Sequence, residues 1–197
     1  MLMGLLATLP PFKALIFDCD GTLVLSEGLH LAAFGQALAQ QGAVLDPVWY
    51  GQRTGLARRD MLTEYRDALC CDLDVERAVQ DSIEATMGIA QSCRPNAPVV
   101  AFARDWFGRV PMAVASNAEA PVVQAMLAAC DLGPLFDTVI SLSEACVAKP
   151  DPTMFLMAAA GMGVAACDCL VLEDSDQGMT AAVAAGMLAV DVRGIAP

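Results

Sequence analysis

Positive charge is scarce in this chain. Two of its 197 residues are lysine and one is histidine, and 11 basic residues face 23 acidic ones, which leaves a formal charge of −12. That balance argues against nucleic acid or an anionic membrane surface as a partner, because both are held by clustered cations. Long apolar runs are missing too. Although 56% of the residues are hydrophobic, many are Ala, and no run approaches the roughly 20 residues of a membrane-spanning helix. The opening stretch Met1–Leu9 is apolar with no basic residue before it, so it reads as a disordered leader and not a signal peptide, and a cytoplasmic location is expected. There is no Cys-x-x-Cys pair: the eight cysteines include the neighbours Cys70 and Cys71 and the alternating Cys167 and Cys169. They read as small buried hydrophobes in a reducing compartment, and a single histidine argues against a zinc site.

What is present is a chain long enough for one full-sized domain with a smaller insert. Lys13–Asp18 is a short apolar run ending in a carboxylate, as expected of a buried parallel strand. Val110–Ala115, Thr138–Ser141, Cys169–Leu172 and Leu188–Val190 are similar. Between them, helical periodicity is expected at about residues 119–130, 152–162 and 176–185, with Gly133, Gly161 and Gly186 as stops. The alternation predicts a doubly wound α/β sheet with its ligands at the carboxyl ends of the strands. Residues 27–92 carry no convincing strand but helical patterns near 27–41, 56–70 and 74–91, so they read as a helical insert. Gly161-x-Gly163 follows a helix, which does not support a dinucleotide fingerprint.

The chemistry-bearing residues fall at the predicted strand ends. Asp18-Cys19-Asp20-Gly21-Thr22 follows the first strand, Ser116-Asn117 the second, Lys149-Pro150-Asp151-Pro152 the third and Glu173-Asp174-Ser175 the fourth. Together they offer two carboxylates, a hydroxyl, an ammonium and two more carboxylates. This set suits phosphoryl transfer through an aspartyl phosphate: a carboxylate attacks phosphorus, while a cation, Lys and backbone N–H groups hold the phosphoryl oxygens. Ser116, Asn117 and Lys149 are the candidate phosphate-binding residues. Lys13 begins the first strand, about a strand length from its functional end, so Lys149 is the plausible catalytic lysine. Mg²⁺ takes hard oxygen ligands, and Asp18, Asp174 and the backbone carbonyl of Asp20 could supply them, with Glu173 assisting directly or through water.

In this order the residues resemble the four motifs of the haloacid dehalogenase superfamily, as the Asp18-x-Asp20-Gly-Thr stretch, Ser116, Lys149 and the Glu173-Asp174 pair. The resemblance covers nearly the whole chain. The Lys149–Pro152 run, and Glu173-Asp174-Ser175 followed by Gly178, look like the subgroup with a helical cap inserted after the first motif. Val110–Val114, Ala185-Gly186-Met187 and Val190–Arg193 look like its small sugar-phosphate phosphatases, with the β-phosphoglucomutases as close relatives. The resemblance implies a Rossmann-like core of residues 1–26 and 93–197 and a cap of residues 27–92. It also implies Asp18 as nucleophile and Asp20 as general acid and base, with an Asp20 pKa raised by neighbouring carboxylates.

Some assignments within this reading stay open. His30 is either a packing or capping residue or one that lies near the cap hinge and substrate. Gly55–Asp60 resembles a cap loop that delivers an Arg to the substrate, with Arg58 preferred over Arg53 and Arg59. Relatives often carry a carboxylate where Leu25 stands. Asp20 argues against a dehalogenase, and the absence of lysine from residues 27–92 against a phosphonate-cleaving relative. The expected function is a Mg²⁺-dependent phosphatase of a small phosphorylated metabolite, acting as a monomer or weak homodimer. The alternatives are a phosphosugar mutase, against which Glu119 argues where mutases carry basic residues, and a non-enzymatic phospho-receiver.

Overall fold

In a computed structural model of the chain, residues 10–69 and 72–195 are described. The leader expected over Met1–Leu9 and the pair Cys70–Cys71 lie outside the described residues. Five strands form one parallel sheet: β1 (Ala14–Phe17), β4 (Met112–Ala115), β5 (Thr138–Ile140), β6 (Cys169–Glu173) and β7 (Leu188–Asp191), in the order β5-β4-β1-β6-β7. β1 is central and completely buried. Its apolar run is continuous because both of its faces are covered.

Alternation along β1 splits the core in two. Leu15 and Phe17 pack on one face with Val99, Phe102, Val122 and Met126, from α5 (Ala97–Trp106) and α6 (Ala120–Ala129). Ala14 and Ile16 pack on the other with Met154, Phe155, Ala181 and Ala182, from α8 (Thr153–Gly161) and α9 (Asp176–Ala184). The expected doubly wound sheet is therefore present, with helices on both faces.

Between β1 and β4 lie α1 (Glu27–Ala39), α2 (Pro47–Gly51), α3 (Arg58–Leu69) and α4 (Val75–Ile89). These helices share an apolar cluster of their own, including Phe34, Leu38, Tyr50, Met61, Leu62, Tyr65 and Val75. Where the chain leaves and re-enters the sheet layer, β2 (Val24–Leu25) and β3 (Arg94–Pro95) pair antiparallel. Leu25 sits opposite Arg94 in this ladder and is exposed.

Local chemistry explains where the elements begin and end. The expected strand to Ser141 stops at Ile140 because Ser141 caps α7 (Leu142–Ala145): its hydroxyl accepts from Ser143 N–H, and Glu144 closes a capping box. The second strand, expected from Val110, starts instead at Met112. Helix α5 was not expected from the pattern, yet Asn96 precedes it, Pro98 lies in its first turn, and Val99, Val100, Phe102 and Ala103 are buried. Among the described residues no helix is long and apolar enough to cross a membrane.

Phe17 anchors the sheet to the apolar cluster on its own face, with ring centroids 5.6 Å from Phe136 and 6.4 Å from Phe102. Phe17→Ala should lower the unfolding free energy by about 3–5 kcal/mol, whereas exposed Phe107→Ala should stay within about 0.5 kcal/mol of the parent. Urea unfolding of the two variants checks this, and equal midpoints would contradict the assigned core.

Candidate functional site

The four loop motifs meet at one cavity. β1 ends at Phe17, and the next residue, Asp18, is buried. Beside it, the loops after β4 and β6 bring Ser116, Glu173 and Asp174, and Lys149 comes in from the loop after α7. The cavity holds about 80 Å³ and is lined by Asp18, Asp20, His30, Phe34, Gly55, Leu56, Arg58, Ser116, Asn117, Ala118, Glu119, Lys149, Glu173, Asp174 and Ser175. Asp18, Asp20, His30, Arg58, Ser116, Asn117, Lys149, Glu173 and Asp174, all singled out from the sequence, therefore lie on it, whereas the rival arginines Arg53 and Arg59 do not.

Lys149 is the hinge of the charge arrangement. Its Nζ donates to Asp18 Oδ1 at 2.6 Å and to Glu173 Oε2 at 2.7 Å, with all three side chains at most 8% exposed. Burial would lower the Lys149 pKa, but the two carboxylates outweigh it and hold the ammonium protonated, above its ordinary value. The ammonium also lies 4.9 Å from the Phe155 ring centroid. Its backbone is held by Asn117: Lys149 N–H donates to Asn117 Oδ1 at 2.8 Å, and Asn117 Nδ2 donates to the carbonyls of Lys149 (3.4 Å) and Gly55 (3.0 Å). Asn117 thus ties the lysine loop to the helical insert through its side chain.

Oxygen donors collect below the lysine. One carboxylate oxygen from each of Asp18, Glu173 and Asp174 lies within 4.8 Å of the others. Burial, then repulsion from Glu173, pushes the Asp18 pKa well above its ordinary value despite Lys149. The same two causes raise Asp174 to about 6. Such crowding of hard oxygen donors fits Mg²⁺. Glu173 Oε1 accepts from the N–H groups of Asp174 (3.1 Å) and Ser175 (3.0 Å) and from Ser175 Oγ (2.8 Å). With Oε2 on Lys149, its carboxylate orders the loop, which leaves Asp18 and Asp174 as the better placed ligands. Gly21 keeps space for Asp174: at φ +83° it turns the chain, and a Cβ there would land on the Asp174 carboxylate.

Asp20 departs from expectation. Its pKa is lowered, not raised: burial alone would raise it, but the charge and hydrogen bond of His30 and the Ser26 hydroxyl overcome that. Ser26 Oγ donates to Asp20 Oδ1 at 2.6 Å, and His30 Nε2 lies 2.6 Å from the same oxygen. Ser26 precedes α1 at its N-cap position, with its hydroxyl turned to Asp20 and not to the helix N–H groups, and His30 stands one turn on, so both reach Asp20 from one helix end. His30 is thereby more than a packing residue. The spacing of Ser26 and His30 could have revealed the pair; the expectation rested on the carboxylates alone. Ser116 Oγ lies 3.5 Å from the other oxygen, Oδ2.

The three cap arginines separate. Arg58 is buried on the cavity, with Nε donating to Glu119 Oε2 at 3.1 Å, Nη1 to Ser82 Oγ at 3.1 Å, and its guanidinium 4.9 Å from the Phe34 ring centroid. Arg53 stacks on Trp49 and pairs with Glu64, and Arg59 pairs with Glu76 on the exposed side. Ser82 had no signal in the sequence, because a Ser in the middle of a helical pattern carries none.

A buried carboxylate, a buried ammonium and a cluster of oxygen donors that could hold a cation, gathered at one edge of a parallel sheet, are a set suited to phosphoryl transfer. Residues 12–186 match the sequence model of the haloacid dehalogenase-like hydrolases. The fructose-1-phosphate phosphatase YqaB of Escherichia coli strain K12 is 34% identical over 182 residues, 92% of this chain and 97% of that protein. Among solved structures, CbbY from Rhodobacter sphaeroides in complex with phosphate matches 90% of this chain and 84% of its own, with TM-score 0.80 and 22% identity. A β-phosphoglucomutase from Clostridium difficile matches 91% and 84%, with TM-score 0.79 and 19% identity. At these identities the two structures establish a shared fold and nothing about substrate. The chain belongs to the haloacid dehalogenase-like hydrolases, which sets the receiver reading aside, and it groups with the phosphatases of that family.

The raised Asp174 pKa makes cation binding and stability pH-dependent. Because the folded carboxyl holds its proton up to about pH 6 and the unfolded one only to about its ordinary 3.8, metal-free stability falls as pH rises through that window. Mg²⁺ should therefore raise the thermal midpoint clearly at pH 8 and far less at pH 5, where protons compete for the site. Asp174→Asn should abolish the Mg²⁺ effect, and Gly21→Ala should weaken it. Equal Mg²⁺ shifts at the two pH values would contradict this cluster as the cation site.

Proposed function

We propose that the protein is a Mg²⁺-dependent phosphatase that hydrolyses a small phosphomonoester of a sugar or polyol through an aspartyl phosphate on Asp18. The observation that carries this reading is the Lys149 ammonium held between Asp18 and Glu173, with Asp20 facing the same cavity. Asp18 Oδ1 is engaged by Lys149, so its second oxygen attacks phosphorus as the ester P–O bond breaks. The leaving alkoxide takes a proton from Asp20. Because Oδ1 of Asp20 is already held by Ser26 and His30, the proton moves on Oδ2, the oxygen beside Ser116. The resting Asp20 is held in its ionised form; a phosphate dianion arriving beside it raises its proton affinity. In the second half, Asp20 accepts a proton from a water that attacks phosphorus, which releases inorganic phosphate and restores the Asp18 carboxylate.

Lys149, Ser116 and backbone N–H groups bind the phosphoryl oxygens, and Asn117 positions Lys149. Asp18, Asp174 and the backbone carbonyl of Asp20 would hold Mg²⁺, which when bound supplies positive charge against the phosphoryl oxygens. Residues 27–92 act as a cap over a core of residues 1–26 and 93–197. Two contacts support that division, Asn117 to Gly55 and Arg58 to Glu119, since each joins the insert to the sheet layer. The named activity of the E. coli relative supports a small sugar phosphate. A cytoplasmic monomer or weak homodimer completes the proposal; among the described residues Cys19, Cys93 and Cys169 are buried as expected, whereas Cys146 and Cys167 are exposed.

Phosphate release across a panel of phosphorylated metabolites, with Mg²⁺ and with excess chelator, tests the proposal. Turnover should require Mg²⁺ and favour sugar and polyol monophosphates over phosphoproteins. Asp18→Asn should be inactive, and Asp20→Asn should lose about 10²–10⁴-fold in kcat. Full turnover in chelator, or by Asp18→Asn, would overturn it.

A further inference from the structure

The cavity lining carries five carboxylate side chains, Asp18, Asp20, Glu119, Glu173 and Asp174, against the two permanent cations Arg58 and Lys149. Both cations are already paired with protein carboxylates: Lys149 with Asp18 and Glu173 at the phosphoryl end, and Arg58 with Glu119 at the insert end. The two ends differ in what can relieve the excess negative charge. The Asp18–Glu173–Asp174 cluster has the donor set for a divalent cation. Glu119 is outside that cluster and has Arg58 alone, in a pair with the Arg58 and Glu119 side chains 3% and 17% exposed.

An uncharged leaving group fits that end well. Glu119 and Arg58 offer an acceptor and a donor for hydroxyls, and Phe34 and Leu56 offer apolar surface. An anionic leaving group meets the opposite situation. The Arg58 Nε is taken by Glu119 and Nη1 by Ser82, so a second phosphate or a carboxylate would compete with the protein's own carboxylate for the guanidinium in a cavity of about 80 Å³. Like charges brought together in such a place are strongly disfavoured.

We propose that Glu119 is a specificity-determining residue that limits the substrate to phosphomonoesters with an uncharged leaving group, excluding sugar bisphosphates and phosphorylated carboxylic acids. It does so by neutralising Arg58 and by placing a fixed negative charge where a second anionic group would lie. The same residue joins the core to the insert across 61 positions of sequence, so the charge filter is completed only when the insert is closed over the core.

The inference rests on the phosphatase reading, and one experiment separates the two. kcat/KM is measured for a neutral sugar monophosphate, the corresponding bisphosphate and phosphoglycolate, with the parent enzyme, Glu119→Gln and Glu119→Asp. The parent should prefer the monophosphate by at least about tenfold, as expected for an uncompensated like charge. Glu119→Gln keeps the size and a hydrogen bond to Arg58 but removes the charge, and it should raise the efficiency for both anionic substrates about tenfold relative to the monophosphate. Glu119→Asp, which keeps the charge, should retain the parent's preference. Because each preference is a ratio taken on one preparation, partial unfolding of a variant cancels. A parent that accepts all three substrates equally overturns the inference, as does a Gln variant with an unchanged ratio or an Asp variant that loses it. Absence of activity on every phosphomonoester would instead overturn the phosphatase reading.

Discussion

The site depends on one buried ammonium. Lys149 holds Asp18 and Glu173 together where neither carboxylate has much water, and removing one partner of such a buried pair costs about 3–5 kcal/mol. Parallel strands make the cluster possible, because their carboxyl ends fall on one edge of the sheet and bring residues more than 100 positions apart within a few ångströms. They also make it unstable without compensation. Lys149 offsets part of the crowding, and the upward shifts of Asp18 and Asp174 record the remainder. A divalent cation bound there would remove that remainder, so the site would give up stability in the metal-free state and recover it on binding.

At the other end of the cavity the insert meets the core. Helices α1 to α4 have their own apolar cluster and meet the core both through apolar packing, with Leu29 and Ile83 against the sheet-side cluster, and through the polar contacts of Asn117 with Gly55 and Arg58 with Glu119. The β2–β3 ladder, where both connections cross, is only two residues long on each side.

The sheet and the four loop motifs were legible because each carries a short-range signal: a continuous apolar run for a strand buried on both faces, then a polar cluster at its end. Lys149 was legible by elimination, since the chain has only one other lysine. Elements whose signal is tertiary were not. Helix α5 begins with Pro and Val residues whose local preference is weak, and burial against Phe17 decides the matter. The direction of the Asp20 pKa was misjudged because neighbouring acids in sequence suggested repulsion, whereas the contacts that dominate come from Ser26 and His30 on α1. Among Arg53, Arg58 and Arg59, sequence spacing favoured Arg58 without deciding it. Aromatic and acidic partners on separate helices, Trp49, Glu64 and Glu76, draw the other two to the surface.

The central claim, covalent transfer to Asp18, is tested most directly by trapping. Borohydride added during steady-state turnover reduces an acyl phosphate to an alcohol, so peptide mass spectrometry should find residue 18 converted from aspartate to homoserine. The conversion should require both substrate and Mg²⁺ and leave Asp20 unchanged. Turnover with residue 18 untouched, or conversion at residue 20 instead, would contradict the account.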